Sequence, residues 1–385
     1  GTQAAPFDGW QPVAAQASLT LAGEWQRTQK ALAEKDAFER HIASDPLRDL
    51  PADRLLSRLR DTDVLLVFFE SYGRSALEQP RYAKTILPTL DRFERTLAGA
   101  GLAAASGYLT SPTVGGQSWL AHGALESGLW IDNQQLYDLL VTRRDRLTLT
   151  RAFARAGHRT VAVKPAITMP WPEGKLLGFE QVYASKDLDY AGLPYNWVTM
   201  PDQYTLSAFE RFERPPGHAP LFAELSLISS HAPWTPIAPV LDDWDAIGDG
   251  RVFSRWASAG DPPEVVWRDP KRVREQYRRA IDYVLKVLAS YAARFVDGHT
   301  LLIIVGDHQP APIVTGERAS RDVPMHVIAR DRALLEPFLG FGFASGMRPD
   351  PGRPVQRMDA FRDFFLRAFS GAAEKPVAAM PSPPG

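Results

Sequence analysis

Residues 63–75 read DVLLVFFESYGRS, and this stretch decides the fold. Positions 64–69 are consecutive β-branched or large apolar residues that stop abruptly at Glu70 and a Ser71-Tyr72-Gly73 turn. The pattern predicts a buried parallel strand that delivers a carboxylate to its C-terminal end. Residues 299–310, HTLLIIVGDHQP, repeat the plan: an apolar run from Leu301 to Val305, a turn at Gly306, then Asp307 and His308 side by side. In open α/β sheets the functional crevice lies outside the carboxyl ends of the strands. Two acids and an imidazole are therefore aimed at one place, and we read that place as a metal site.

Composition agrees with a large α/β core. The chain has 385 residues, 45% of them hydrophobic, which leads us to expect one extended domain with embellishments. A net charge of -1 gives no sign of a nucleic-acid partner. The absence of cysteine excludes a disulfide framework and thiolate ligands, and is compatible with cytoplasm or periplasm. No apolar run reaches the roughly 18 to 20 residues needed to span a bilayer. The chain opens on Gly1-Thr2 without a methionine, so a native N-terminal region is expected upstream, which leaves membrane attachment there open.

Residues 1–62 read as an arm or linker: a loop over 1–12, a charged helix over 23–42 and a short helix over 53–59. Beyond the Glu70 strand, a helix is expected over 87–100, a strand over 101–108 and a turn-rich loop, TSPTVGG, over 110–116. That loop leads into SWLAHGALESG, residues 118–128. Ser118 opens a helix and is placed to cap it. The same position suits a nucleophile, because a helix N-terminus stabilises an alkoxide and the phosphoryl group it attacks. A divalent ion held by Glu70, Asp307 and His308 supplies the activation that serine otherwise lacks.

Together, the strand ending in Glu70, the Gly-rich loop, the hydroxyl that opens a helix closed by Gly128, and the late Gly306-Asp307-His308 resemble the alkaline phosphatase superfamily. The resemblance is to its sulfatase-like branch, which includes lipoteichoic acid synthase and the phosphoglycerol transferases, and it covers residues 63–330. It implies an α/β three-layer sandwich around a mostly parallel sheet, with a catalytic domain over 63–370. It implies that Glu70, Ser118, Asp307 and His308 bind one divalent ion, with Ser118 as the nucleophile. Ser118 stands where the relatives usually have Thr. Sulfatases make formylglycine from a Cys or Ser followed by Pro and Arg at positions that here hold Leu120 and His122, so the resemblance weakens at sulfatases. Lipid A phosphoethanolamine transferases are similar in outline but typically disulfide-rich, and this chain has no cysteine.

Further candidates lie along the chain. Lys164 ends a predicted strand over 159–163; a lysine there is ordinarily solvated, but beside a phosphate it supplies a compact charge. Trp171, in the segment 167–183, resembles the family's head-group pocket, and His122 is taken with it as substrate-binding. No chemistry is assigned to Asp202. His231 ends the strand candidate LFAELSLISSH, residues 221–231, at the same edge, resembles the family histidine that contacts phosphate and leaving group, and suits a general acid. Residues 237–269 read as a long excursion and 269–296 as the longest helix, capped by Asp269. His326 falls within a predicted strand over 322–329 and reads as buried and structural, with metal ligation the other reading. A helix over 358–369 precedes a Pro- and Ala-rich tail, 371–385, expected to be disordered.

The resemblance implies a metal-dependent phosphotransferase that moves a phospholipid head group, such as phosphoglycerol, to a cell-envelope glycan through phosphorylated Ser118. It places the domain at the periplasmic or extracellular face of a membrane. The oxygen-rich ligand set suits Mn²⁺ and admits Zn²⁺ or Mg²⁺. A phosphodiesterase or sulfatase-like hydrolase, and a non-catalytic glycan- or lipid-binding relative, are the alternative readings.

Overall fold

The computed structural model describes residues 13–371, with side chains from residue 22 onward. The expected loop over 1–12 and nearly all of the expected tail lie outside the described residues. The chain forms two compact units, one ending at Asp45 and the other beginning at Pro46. The first contains a single long helix, Val13–Ala43.

The second unit is built on nine strands: β1 (Asp63–Phe69), β2 (Ala103–Thr110), β3 (Arg159–Lys164), β4 (Gln181–Ala184), β5 (Leu221–Leu227), β6 (Thr300–Gly306), β7 (Asp322–Ala329), β8 (Ala344–Ser345) and β9 (Gln356–Arg357). They form one sheet in the order β4-β3-β5-β1-β6-β7-β2-β8, with β9 paired to β2. β4, β3, β5, β1 and β6 run parallel, and β7 is antiparallel to both β6 and β2. The C-terminal ends of β1, β3, β5 and β6 therefore open on one edge.

Every residue of β1 and β6 is buried, as expected of parallel strands covered on both faces. Alternate side chains enter different cores. Leu65, Val67 and Phe69 pack with Ile86, Leu90 and Phe93 of the helix Pro80–Gly99 and with Ile281, Val284 and Leu288 of the helix Pro270–Phe295. Val64, Leu66 and Phe68 pack with Leu125, Phe153 and Phe365, from the helices Ser118–Ser127, Leu149–Arg155 and Phe361–Phe369. This is the expected three-layer sandwich, a mostly parallel sheet between two layers of helices. Each fully buried Leu, Val or Phe contributes about 1.5–3 kcal/mol.

Three local expectations change. The helix expected from residue 87 starts at Pro80 and runs through Pro88. The buried stripe of Ile86, Leu90, Phe93 and Leu97 outweighs the backbone bond that Pro88 forgoes. The helix expected over 53–59 is only a 3₁₀ turn, Ser57–Leu59, because Leu55, Leu56 and Leu59 are drawn separately into the core. Around that turn the Leu56 N–H donates to Ser370 Oγ and the Gly371 N–H to Ser57 Oγ, which ties residues 46–62 to the end of the chain. Finally, Ser118 does not cap its helix. Gln117, in the left-handed conformation at φ 58°, takes the cap position without a side-chain bond, and Ser118 is the first helical residue.

Candidate active site

At the carboxyl edge, β1 and β6 lie side by side in parallel register, Phe69 opposite Gly306. The residues that follow them meet. Gly306 is required there: a Cβ would lie 1.9 Å from the Tyr72 carbonyl oxygen, so only glycine lets the turn after β1 settle against β6. The Ser71 N–H (2.9 Å) and the His308 N–H (2.7 Å) both donate to Asp307 Oδ1, which fixes that carboxyl between the strand ends. Ser71 Oγ donates to Glu70 Oε1 at 3.1 Å.

The hydroxyl of Ser118 arrives from the loop between β2 and the next helix. It donates to Glu70 Oε2 at 3.1 Å and lies 3.3 Å from His308 Nε2. His308 Nε2 is also 3.3 Å from Glu70 Oε1 and 3.7 Å from Asp307 Oδ2, while its Nδ1 donates to the Gln309 carbonyl at 2.8 Å. That second bond orients the ring and turns Nε2 toward the carboxylates. Glu70, Asp307 and His308 are the one group of three metal-type ligands found among the described residues.

The electrostatics of the cluster are those of a cation site. Burial raises the Glu70 carboxyl, but His308 overrides it and holds Glu70 well below the usual range. Asp307 is pushed far up, by burial and then by the charge of Glu70. Burial lowers His308, yet Asp307 and Glu70 drive it up to about 10. The two acids thus repel each other and draw positive charge between them. Two carboxylates, one oriented imidazole nitrogen and a hydroxyl, all converging, fit a divalent ion.

A cavity of about 510 Å³ adjoins the cluster, with Glu70, Ser118 and Asp307 in its lining. It reaches inward over the sheet, beneath the helix Ser118–Ser127. Trp171, with Tyr137, Leu177 and Phe179, forms apolar wall, and His122 and Lys164 are also in the lining. Lys164 is not a solvated strand end. It is buried, ion-paired to Glu224 and donates to Ser226 Oγ at 3.1 Å. The register explains this: Glu224 lies opposite Ala162, so Lys164, two residues on, projects from the same face. Glu224 and Glu126 were not singled out from the sequence, although an acid inside the apolar run LFAELSL and the spacing Ser118, His122, Glu126 at i, i+4, i+8 both carry a signal.

His231 stands at the cavity rim, exposed, with Nδ1 donating to the Ala232 carbonyl at 2.6 Å. Its loop is held from below: Asp202 Oδ1 accepts from the Ile228 and Ser229 N–H groups at 2.7 and 3.0 Å. Burial raises the Asp202 carboxyl to about 7. His326 is structural. It is fully buried on β7, with Nε2 on the Tyr72 hydroxyl and Nδ1 on Ser106 Oγ, both 2.8 Å, so neither nitrogen is free to ligate.

Sandwich and edge site together define an α/β fold with a candidate metal site at the carboxyl ends of its parallel strands. Among solved structures, the chain is similar to the Streptococcus pyogenes phosphoglycerol transferase GacH in complex with sn-glycerol-1-phosphate, at TM-score 0.52 and 15% identity over 90% of this chain and 82% of that one. It is similar also to the soluble domain of lipooligosaccharide phosphoethanolamine transferase A from Neisseria meningitidis, at TM-score 0.52 and 13% identity over 80% of this chain and 86% of that one. No family model and no curated protein matches the sequence. No helix among the described residues is long and apolar enough to cross a membrane.

Proposed function

We propose that the chain is a metal-dependent phosphotransferase or phosphodiesterase in which Ser118 is the nucleophile. The observation that carries this reading is the placement of Ser118 Oγ at a helix start, 3.1 Å from Glu70 Oε2 and 3.3 Å from His308 Nε2. Glu70, Asp307, His308 and Ser118 hold one divalent ion, Mn²⁺ by preference, with Zn²⁺ or Mg²⁺ also suited to the set. When bound, the ion lowers the hydroxyl pKa and offsets charge on the phosphoryl oxygens.

The remaining chemistry belongs to the protein. Ser118 Oγ bonds to the phosphorus of a phosphodiester while its proton leaves to solvent water. The ester oxygen on the opposite side departs as an alcohol, protonated by His231 or water. A second alcohol or water then takes the group and restores the hydroxyl. The named activity of one fold relative, a phosphoglycerol transferase, supports phosphoglycerol as the group transferred; phosphatidylglycerol as donor and a cell-envelope glycan as acceptor follow the resemblance of the motifs. Such a donor fits a domain at the periplasmic or extracellular face of a membrane. Transfer rather than hydrolysis is favoured by the far side of His231, where the exposed rings of Trp197 and Trp267 form a second hollow suited to a sugar face.

The test is head-group release from fluorescent phosphatidylglycerol with and without Mn²⁺. The intact chain releases the head group only with the metal, and Ser118→Ala lowers the rate at least about 10³-fold. Metal-dependent release that survives in Ser118→Ala overturns the assignment. No release from this or any other phosphodiester favours the non-catalytic binding reading.

A further inference from the structure

His231 owes its place to its loop. Among the described residues its only hydrogen bonds are to that loop: Nδ1 donates to the Ala232 carbonyl, the backbone N–H donates to the Ile228 carbonyl at 3.0 Å, and its carbonyl accepts from the Trp234 N–H at 3.2 Å. The exposed imidazole therefore goes where residues 228–234 carry it, at the rim of the cavity that Ser118 and Glu70 also line.

The loop is fastened at both ends by one segment, residues 196–202. At the far end Asn196 Nδ2 donates to the Thr235 carbonyl at 2.9 Å. At the near end β5 stops at Leu227, and the next two N–H groups, Ile228 and Ser229, lie past the sheet's pairing and need another acceptor. Asp202 Oδ1 accepts from both, and the Asp202 N–H donates in return to Ser229 Oγ at 2.9 Å. Helix start and turn thus satisfy each other's unpaired groups. In the middle, Ser230 Oγ donates to the Glu70 carbonyl at 2.6 Å, so the turn is tied to the residue that ends β1.

Asp202 is an expensive way to begin the helix Asp202–Glu213. Its side chain is fully buried, no ion pair reaches it among the described residues, and Oδ2 has no hydrogen-bond partner. A buried carboxyl with one oxygen unused is costly. Both partners of the other oxygen lie 26 and 27 residues away, in the turn that ends at His231, and none lies in its own helix. What the carboxyl secures is the turn.

We propose that Asp202 is a positioning residue for His231: by clamping the first two amides of the 228–231 turn, it holds the imidazole where the departing alcohol oxygen takes up its proton. This rests on the phosphodiester reading given above.

Two matched diesters test it with the full chain and Mn²⁺: ethyl 4-nitrophenyl phosphate, whose phenolate leaves without a proton, and ethyl 4-nitrobenzyl phosphate, whose alkoxide needs one. Asp202→Ala is expected to lower kcat/KM for the benzyl ester about 10²-fold and for the phenyl ester less than about threefold. His231→Ala shows the same selective loss, and the double variant is no slower than His231→Ala alone. Asp202→Asn, which keeps Oδ1 as acceptor, recovers most of the benzyl rate. If Asp202→Ala does not fold, Asp202→Ser gives the same readout, because its hydroxyl stops short of the two amides. Equal losses on both esters would show a merely structural role and overturn the inference, as would additive losses in the double variant or an Asp202→Ala chain with the parent's selectivity. A parent that turns over only the phenyl ester leaves Ser118 as nucleophile and overturns the positioning role. Turnover of neither ester contradicts the proposed function and this inference with it.

Discussion

Two buried clusters of acids and imidazole lie along one cavity, and they solve the same electrostatic problem differently. At the strand ends, Glu70, Asp307 and His308 crowd their ligand atoms together with no lysine or arginine among them. Deeper in, Glu224 and Glu126 lie beside Lys164, which neutralises the ionised one, while the other stays protonated. In the outer cluster the matching positive charge is a proton on His308, which an incoming divalent ion would displace; in the inner one it is the ammonium of Lys164. Burying carboxylates is affordable in either case only because each charge is matched.

Breaking the inner pair should have the largest effect on stability. Glu224→Gln leaves the Lys164 ammonium buried beside a neutral amide, and a loss of about 3–5 kcal/mol is expected in urea unfolding. Lys164→Met combined with Glu224→Gln should recover much of that loss. A single variant as stable as the parent would mean that the lysine is not matched by Glu224.

For the outer cluster the expected response is to metal. Mn²⁺ at about 100 times its dissociation constant stabilises a single-site protein by about 2.7 kcal/mol. Calorimetric melting should therefore shift upward by several degrees in the parent and not in Asp307→Asn. An equal shift in both proteins would place the ion elsewhere.

A smaller, pH-dependent effect separates the clusters further. The His122 pKa is about 4 in the folded chain, against an ordinary value of 6.5. Between those two values the unfolded chain binds a proton that the folded chain refuses, so this contribution is present above pH 6.5 and lost as the pH falls toward 4. At pH 5 the loss amounts to about 2 kcal/mol. Between pH 7 and pH 5 the unfolding free energy of the parent should fall by about 2 kcal/mol more than that of His122→Phe. Parallel profiles would show that the ring is accessible to protons.

How legible each cluster was in the sequence follows from how it is made. Glu70, Asp307 and His308 come directly after apolar runs, so local pattern and the edge rule for parallel sheets were enough to bring them together. Ser118 was legible as a helix-opening hydroxyl, but not as a residue relieved of capping by Gln117, because that depends on a single left-handed backbone conformation. The inner cluster depends on strand register. Nothing local says that β3 lies beside β5 with Ala162 opposite Glu224, and without that pairing Lys164 reads as a solvated strand end. His326 was legible as buried; its two hydroxyl partners come from Tyr72 and Ser106, distant in sequence.

The central claim is that Ser118 carries the group in transit, and mass spectrometry tests it most directly. The chain is mixed with phosphatidylglycerol and Mn²⁺, quenched in acid within the first turnovers and digested. The account predicts a phosphoglycerol adduct on the peptide bearing Ser118, absent without metal and absent in Ser118→Ala. Turnover with no adduct at any quench time, or an adduct on another residue, would contradict it.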